Sequence, residues 1–116
     1  MGFKLLSKVY KTVQSAVSTD VAAGDYLSSG ALQGFALSDI ASGDLGTVVV
    51  EAEIVAGVKE VGESWVAGDA IYSTSAGVLS KTSSAGNRLI GYAYQEAEVA
   101  DPEGYITMAG FAEFLV

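Results

Sequence analysis

The hydrophobic residues of this chain fall in short runs separated by turn-forming residues. The runs are rich in β-branched and aromatic residues, which favour strands. Turn signals such as Gly-Asp, Ser-Gly and Asp-Pro-Glu-Gly recur between them at spacings of about 8–12 residues, which is typical of sandwiches and barrels. The pattern predicts a mostly β fold, a compact β-sandwich or β-barrel of short antiparallel strands. The runs are 26–27, 32–37, 47–55, 70–73, 78–79, 89–94, 105–108 and 111–116.

The longest predicted strand covers residues 47–58. Its side chains alternate between an apolar face that begins at Val48 and a wetter face that holds Glu51 and Glu53 together. We interpret the two glutamates as solvated residues of a strand. The alternatives are an acid–base pair or a hard-cation site, but no other part of the sequence completes six oxygen ligands.

Residues 3–17 fit two patterns. Phe3, Leu6 and Tyr10 begin a helical spacing, whereas residues 9–17 alternate with a period of two and favour a strand. A basic helix could lie on a membrane, and an arm or edge strand could dock on an acidic neighbour. We expect the second, with residues 1–8 as a basic N-terminal arm and 9–116 as a single β-rich domain. The basic residues of this segment are Lys4, Lys8 and Lys11.

A degenerate repeat suggests two related β-halves. The sequence VAAGDYL at residues 21–27 is echoed by WVAGDAIY at 65–72, and each is followed by a short apolar strand that begins with glycine. Within each copy a glycine allows positive φ and the next aspartate caps backbone N–H groups. Cation binding by the aspartates is the alternative. The turn residues are Gly24, Asp25, Gly68 and Asp69.

Charge is divided unevenly along the chain. Residues 1–20 carry three lysines and one aspartate, whereas residues 21–116 carry three cations against thirteen carboxylates. Such an acidic body repels nucleic acid, because binding to a polyanion needs lysine or arginine. No apolar run is long enough to span a bilayer. We therefore expect neither a nucleic-acid partner nor a membrane partner.

The composition also restricts the chemistry. The chain has no cysteine and no histidine, which excludes disulfides, thiol nucleophiles, imidazole bases and the usual zinc ligands. It has no phosphate-binding glycine motif and no Ser-x-x-Lys spacing. A glycosidase built from two carboxylates is the remaining catalytic alternative. We expect no enzyme, no cofactor and no metal.

Aromatic residues supply candidate contacts. Trp65, Tyr92 and Tyr94 are large enough to anchor an interface, and Trp65 could alternatively stack on a sugar. Residues 111–116 are apolar up to the last one, so we expect them to pair into the sheet or into a neighbouring subunit.

The order of these motifs resembles that of the small capsid cement, or decoration, proteins of tailed bacteriophages. The resemblance covers about residues 9–116. The stretches that carry it are VAAGD at 21–25, GFAL at 34–37, the strand at 48–58, VAGDAIY at 66–72, GVL at 77–79 and GNRLIGYA at 86–93.

The resemblance implies a β-rich protein that sits on the outside of a virion head, commonly as a trimer, and bridges capsid subunits. It implies the major capsid protein lattice and sister copies as partners, synthesis in the host cytoplasm, and neither catalysis nor a cofactor. Deleting residues 2–8 would then weaken capsid attachment. The expected contact residues are Phe3, Lys4, Lys8, Lys11, Trp65, Phe111 and Phe114. Another virion β-protein, such as a tail or head-fibre base, and a small ligand-binding β-module are the alternatives.

Overall fold

The computed structural model describes residues 2–29, 32–84 and 86–108, and every regular element in them is a strand. One antiparallel sheet has the strand order β2-β3-β4-β8-β7-β5-β6, with β1 paired to β4. The sheet curls into a half-barrel, which confirms the predicted mostly β fold. The strands are β1 (Lys4–Ala16), β2 (Tyr26–Ser29), β3 (Leu32–Ala36), β4 (Leu45–Val58), β5 (Ala70–Ser73), β6 (Leu79–Ser80), β7 (Arg88–Ala93) and β8 (Glu103–Met108).

The strand β4 is paired along both of its edges. One edge pairs with β1 from Lys4 opposite Ala56 to Ala16 opposite Leu45. The other edge pairs first with β3 and then, from residue 52 to residue 58, with β8. This strand therefore joins the N-terminal segment to both parts of the sheet, β2-β3 and β8-β7-β5-β6.

The strict alternation predicted for β4 is wrong. Val49, Ala52 and Val55 are all fully buried in the same core, although they stand three residues apart. Register shifts against β1 and β8 insert extra residues in this region, and such bulges change which face a side chain takes. Glu51 and Glu53 are left half-buried outside that core.

The N-terminal segment is a strand, and the predicted arm at residues 1–8 is not confirmed. From Lys4 onward the segment pairs with β4, so residue 8 marks no boundary between elements. Phe3 is buried, and its ring stacks on that of Phe35 with 5.4 Å between the centroids. The β-branched residues of β1 favour strand, and β4 offers them an edge with backbone partners. The helical alternative is therefore wrong.

The two predicted halves are confirmed by a hydrogen-bond network that occurs twice. Matching backbone N–H groups and carbonyls are joined in the same order in each half, at distances of 2.8–3.3 Å. The structure therefore contains two copies of one local fold. The matching pairs are Val21–Ile40 with Trp65–Ala97, Gly24–Ala36 with Gly68–Ala93, Leu37–Thr47 with Tyr94–Tyr105, and Val17–Asp44 with Lys59–Pro102.

Each half begins with the same turn. Gly24 and Gly68 have φ of 89° and 94°, a region that favours glycine. The Asp25 Oδ2 accepts a hydrogen bond from the Ala22 N–H at 3.0 Å, and Asp69 Oδ2 accepts the equivalent bond at 3.1 Å. A third aspartate makes the same contact without a preceding glycine: Asp101 Oδ2 accepts the Glu98 N–H at 2.8 Å, and residue 100 is alanine.

Two glycines allow neighbouring strands to approach closely. A Cβ atom on Gly34 would lie 2.1 Å from the carbonyl oxygen of Val49, and one on Gly91 would lie 2.1 Å from that of Thr107. These positions match in the two halves. The backbone of the adjacent strand occupies the space in which any other residue would place its first side-chain atom.

Lys59, at the end of β4, is buried, with only 2% of its surface exposed. Its Nζ donates hydrogen bonds to the carbonyls of Glu60 at 3.2 Å and Val99 at 3.3 Å, and also to that of Glu63. The ammonium lies 5.9 Å from the ring centroid of Trp65. One lysine therefore connects β4 to two surface turns and to the core tryptophan.

We expect Gly34→Ala to lower the free energy of unfolding by about 3 kcal/mol, because the added methyl group overpacks against backbone that cannot rotate away. Gly43→Ala is the control. That residue has φ of 87° but open space around it, so only strain of about 1 kcal/mol is expected. Urea unfolding of the two variants measures both losses. Equal losses of unfolding free energy would show that the close approach of the strands at Gly34 does not make this position sensitive to a larger side chain.

We expect Lys59→Met to cost about 3 kcal/mol of stability, because it removes charge-assisted hydrogen bonds to carbonyls while keeping the side-chain length. Lys81→Met is the matched control, since that side chain is exposed. Thermal unfolding monitored by Trp65 fluorescence compares the two. A Lys59→Met variant as stable as the control would contradict the role given to this lysine.

Candidate contact surface

The outer edge of β1 is a long unpaired strand edge. Among the residues that the structure describes, β4 is the only strand paired with β1. The strand contains 13 residues. Its second edge therefore presents backbone N–H and C=O groups without a strand partner in this part of the chain.

One face of the first half of β1 alternates lysines with large apolar side chains. Lys4, Leu6, Lys8 and Tyr10 are exposed, with Leu6 at 51% and Tyr10 at 58%. We call these four residues the β1 face. Leu5 and Ser7 are half-buried between them, so Lys4, Leu6 and Lys8 share the exposed side of the strand, and Tyr10 follows next to a register shift against β4. The next cation along the strand, Lys11, is also exposed.

The β1 lysines have no partner among the described residues. None of the side chains of Lys4, Lys8 and Lys11 makes a hydrogen bond or an ion pair there, although the backbone of β1 pairs with β4. Lysines on an edge strand commonly discourage unwanted pairing. The exposed Leu6 and Tyr10 between them are poorly explained by that role alone, because exposed apolar groups beside a free edge favour a contact.

The predicted aromatic contacts lie in different environments. Phe3 and Trp65 are buried in the main core, with only 5% and 3% of their surface exposed. Tyr92 is half-buried, whereas Tyr94 is 49% exposed. The two aromatic residues expected near the C-terminus, Phe111 and Phe114, lie outside the described residues.

The buried Trp65 leaves one polar atom unsatisfied. Its Nε1 is a buried donor with no hydrogen-bond partner among the described residues. A sugar-stacking platform needs an exposed ring face, so the structure contradicts that alternative for Trp65.

Several aspartates tie neighbouring turns together. Asp39 Oδ1 accepts the Ala23 N–H at 2.9 Å, and Asp20 Oδ1 accepts the Ser42 N–H at 2.9 Å. These carboxylates therefore organise backbone. In the described ranges no group of three or more potential ligands could hold a metal ion.

The two glutamates of β4 lie beside β1. Ser7 Oγ donates a hydrogen bond to Glu53 Oε1, so this carboxylate joins the two strands. This contact provides a structural link between β1 and β4.

A groove of about 360 Å³ lies between the second half of β1 and the β2–β3 hairpin. Val17, Leu27 and Val48 contribute aliphatic surface, and Gln14 and Gln33 contribute amides. None of the described residues that line it is charged. The groove can offer hydrogen bonds and apolar contact to a neutral group.

These features define a β-rich protein with an exposed basic strand edge, an acidic body and turns organised by carboxylates. A profile of the phage cement proteins matches residues 8–108, and the chain belongs to the phage cement protein family. This family gives the chain a structural role in the phage capsid. Neither a curated protein nor a solved structure matches the chain. The described residues include no helix that could cross a membrane.

Proposed function

We propose that this protein decorates the outer surface of a phage capsid as a homotrimer and stabilises the shell by bridging subunits of the major capsid protein. The match to the phage cement proteins over residues 8–108 is the observation that carries the proposal. The protein acts by binding and requires no catalysis and no cofactor.

The charge distribution supports a position on the outside of the shell. The chain has a net charge of −8, and its carboxylates belong almost entirely to the body. Packaged DNA on the inside would repel such a body. The outer surface avoids that cost.

The β1 face supports binding through a defined surface. It combines exposed Leu6 and Tyr10 with lysines that have no partner in the described chain. Apolar anchors with charged neighbours are common in protein interfaces, because the apolar groups supply affinity and the charges supply selectivity. This surface meets either the capsid or a sister subunit.

Deletion of residues 2–8 is a poor test of this surface. It would remove Phe3 from the core and part of β1 from its pairing with β4, so loss of binding could follow from unfolding. Charge reversal of exposed lysines leaves the core and the backbone pairing in place.

We expect the purified protein to have the native mass of a trimer and to co-sediment with capsids that lack it. Heating the decorated capsids should release their DNA at a higher temperature than bare capsids. A monomer with no capsid binding would contradict the proposal, and so would a protein found on isolated tails and absent from heads.

The double variant Lys8→Glu, Lys11→Glu should reduce occupancy on the capsid about five-fold or more, because it replaces two unpaired cations of the surface by anions. Lys81→Glu, an exposed lysine outside β1, is the control and should bind as the parent does. Quantitative co-sedimentation measures the three proteins. Equal occupancy would exclude Lys8 and Lys11 from the binding surface.

A further inference from the structure

The sequence of the second β-half continues beyond Met108, the last residue of β8. In the first half, β4 pairs with β3 and then continues through residues 52–58, which pair with β8. In the second half, β8 takes the place of β4 and pairs with β7 up to Met108. Residues 109–116 are therefore the sequence counterpart of 51–58.

The repeat also fixes which edge would receive this segment. Val13 of β1 is opposite Val48 of β4, and in the next repeat Val55 of β4 is opposite Ile106 of β8. The first part of β4 thus pairs with β1 in the same way as β8 pairs with the second part of β4. The next strand in this series would be the first part of β1 in another copy.

Continuing the repeat by one step predicts the register of this pairing. Glu113 corresponds by the repeat to Val55 of β4. Ile106 of β8 corresponds to Val48 of β4, which in turn corresponds to Leu6 of β1. Glu113 of one copy would therefore lie opposite Leu6 of another.

The charges fit this register. Diagonal neighbours in an antiparallel pair lie on the same face, so Glu113 opposite Leu6 falls between Lys4 and Lys8. These lysines have no partner among the described residues. Pairing two β1 strands about a two-fold axis instead would bring lysines of the two copies together, which is unfavourable.

We propose that residues 109–116 of one copy add as an antiparallel strand to the free edge of β1 in a second copy. The contact joins two different surfaces, so repetition around a ring closes an assembly such as the trimer proposed above, on which this inference rests. The apolar side chains of FAEFLV at 111–116 then cover the exposed Leu6 and its neighbours.

The absence of cysteine from the sequence permits a direct test. A Leu6→Cys chain and a Glu113→Cys chain, with tags of different mass, are mixed and oxidised. We expect a mixed disulfide dimer as the main product. Val61→Cys, at a residue that is 91% exposed, replaces Leu6→Cys in the control and should give little mixed dimer. Equal yields with both partners would overturn the proposal.

A double variant that carries both Leu6→Cys and Glu113→Cys distinguishes the two possible sources of the strand. Disulfide-linked oligomers at low concentration agree with addition between copies. A disulfide closed within each chain, with no linked oligomer, would mean that the segment folds back on its own β1 and would contradict the inference.

Charge exchange provides a test that does not depend on cysteine chemistry. Glu113→Lys should weaken self-association about five-fold, because it faces two lysines, and Lys8→Glu in the same chain should restore it. Sedimentation equilibrium measures the association. No rescue by the second substitution would count against the register.

Capsid co-sedimentation of the same proteins separates this inference from the proposed function. Specific cross-linking without capsid binding would support the strand addition and overturn the capsid role. Capsid binding without specific cross-linking would keep the capsid role and overturn the strand addition.

Discussion

The backbone pairing of β4 along both edges is the interaction on which the rest of the structure depends. It holds β1 on one side and both β-halves on the other. Because the strand is bulged, Val49, Ala52 and Val55 all enter the core. A regular strand would have placed Val49 and Ala52 on opposite faces. The curvature of the sheet and the composition of the core therefore have the same origin.

The duplicated hydrogen-bond network explains how two halves of low sequence similarity adopt one fold. The backbone hydrogen bonds are the same in both halves, whereas large and small core side chains occupy opposite members of a matching pair. The first half combines Val21 with the larger Ile40, and the second combines the larger Trp65 with Ala97. A core tolerates such exchanges when the total volume is kept. This is why the repeat is faint in sequence but clear in structure.

The exposed β1 edge links the fold to the proposed contact between copies. Within the chain, each long strand pairs along one edge with the long strand of the following half: β1 pairs with β4, and β4 pairs with β8. Among the described residues, the second edge of β1 has no such partner. The open ends of a repeat architecture favour association between copies, because stacked units bury what a single unit cannot.

The sequence by itself determined the β class, the two halves, their glycine–aspartate turns and the acidic body, because these follow from local residue preferences and from charge. Only the tertiary structure decided that the N-terminal segment is a strand, that β4 is bulged, and that Phe3 and Trp65 belong to the core. These outcomes depend on contacts between residues far apart in the chain. The pattern of residues 3–17 fits a helix and a strand about equally, and the free edge of β4 favours the strand.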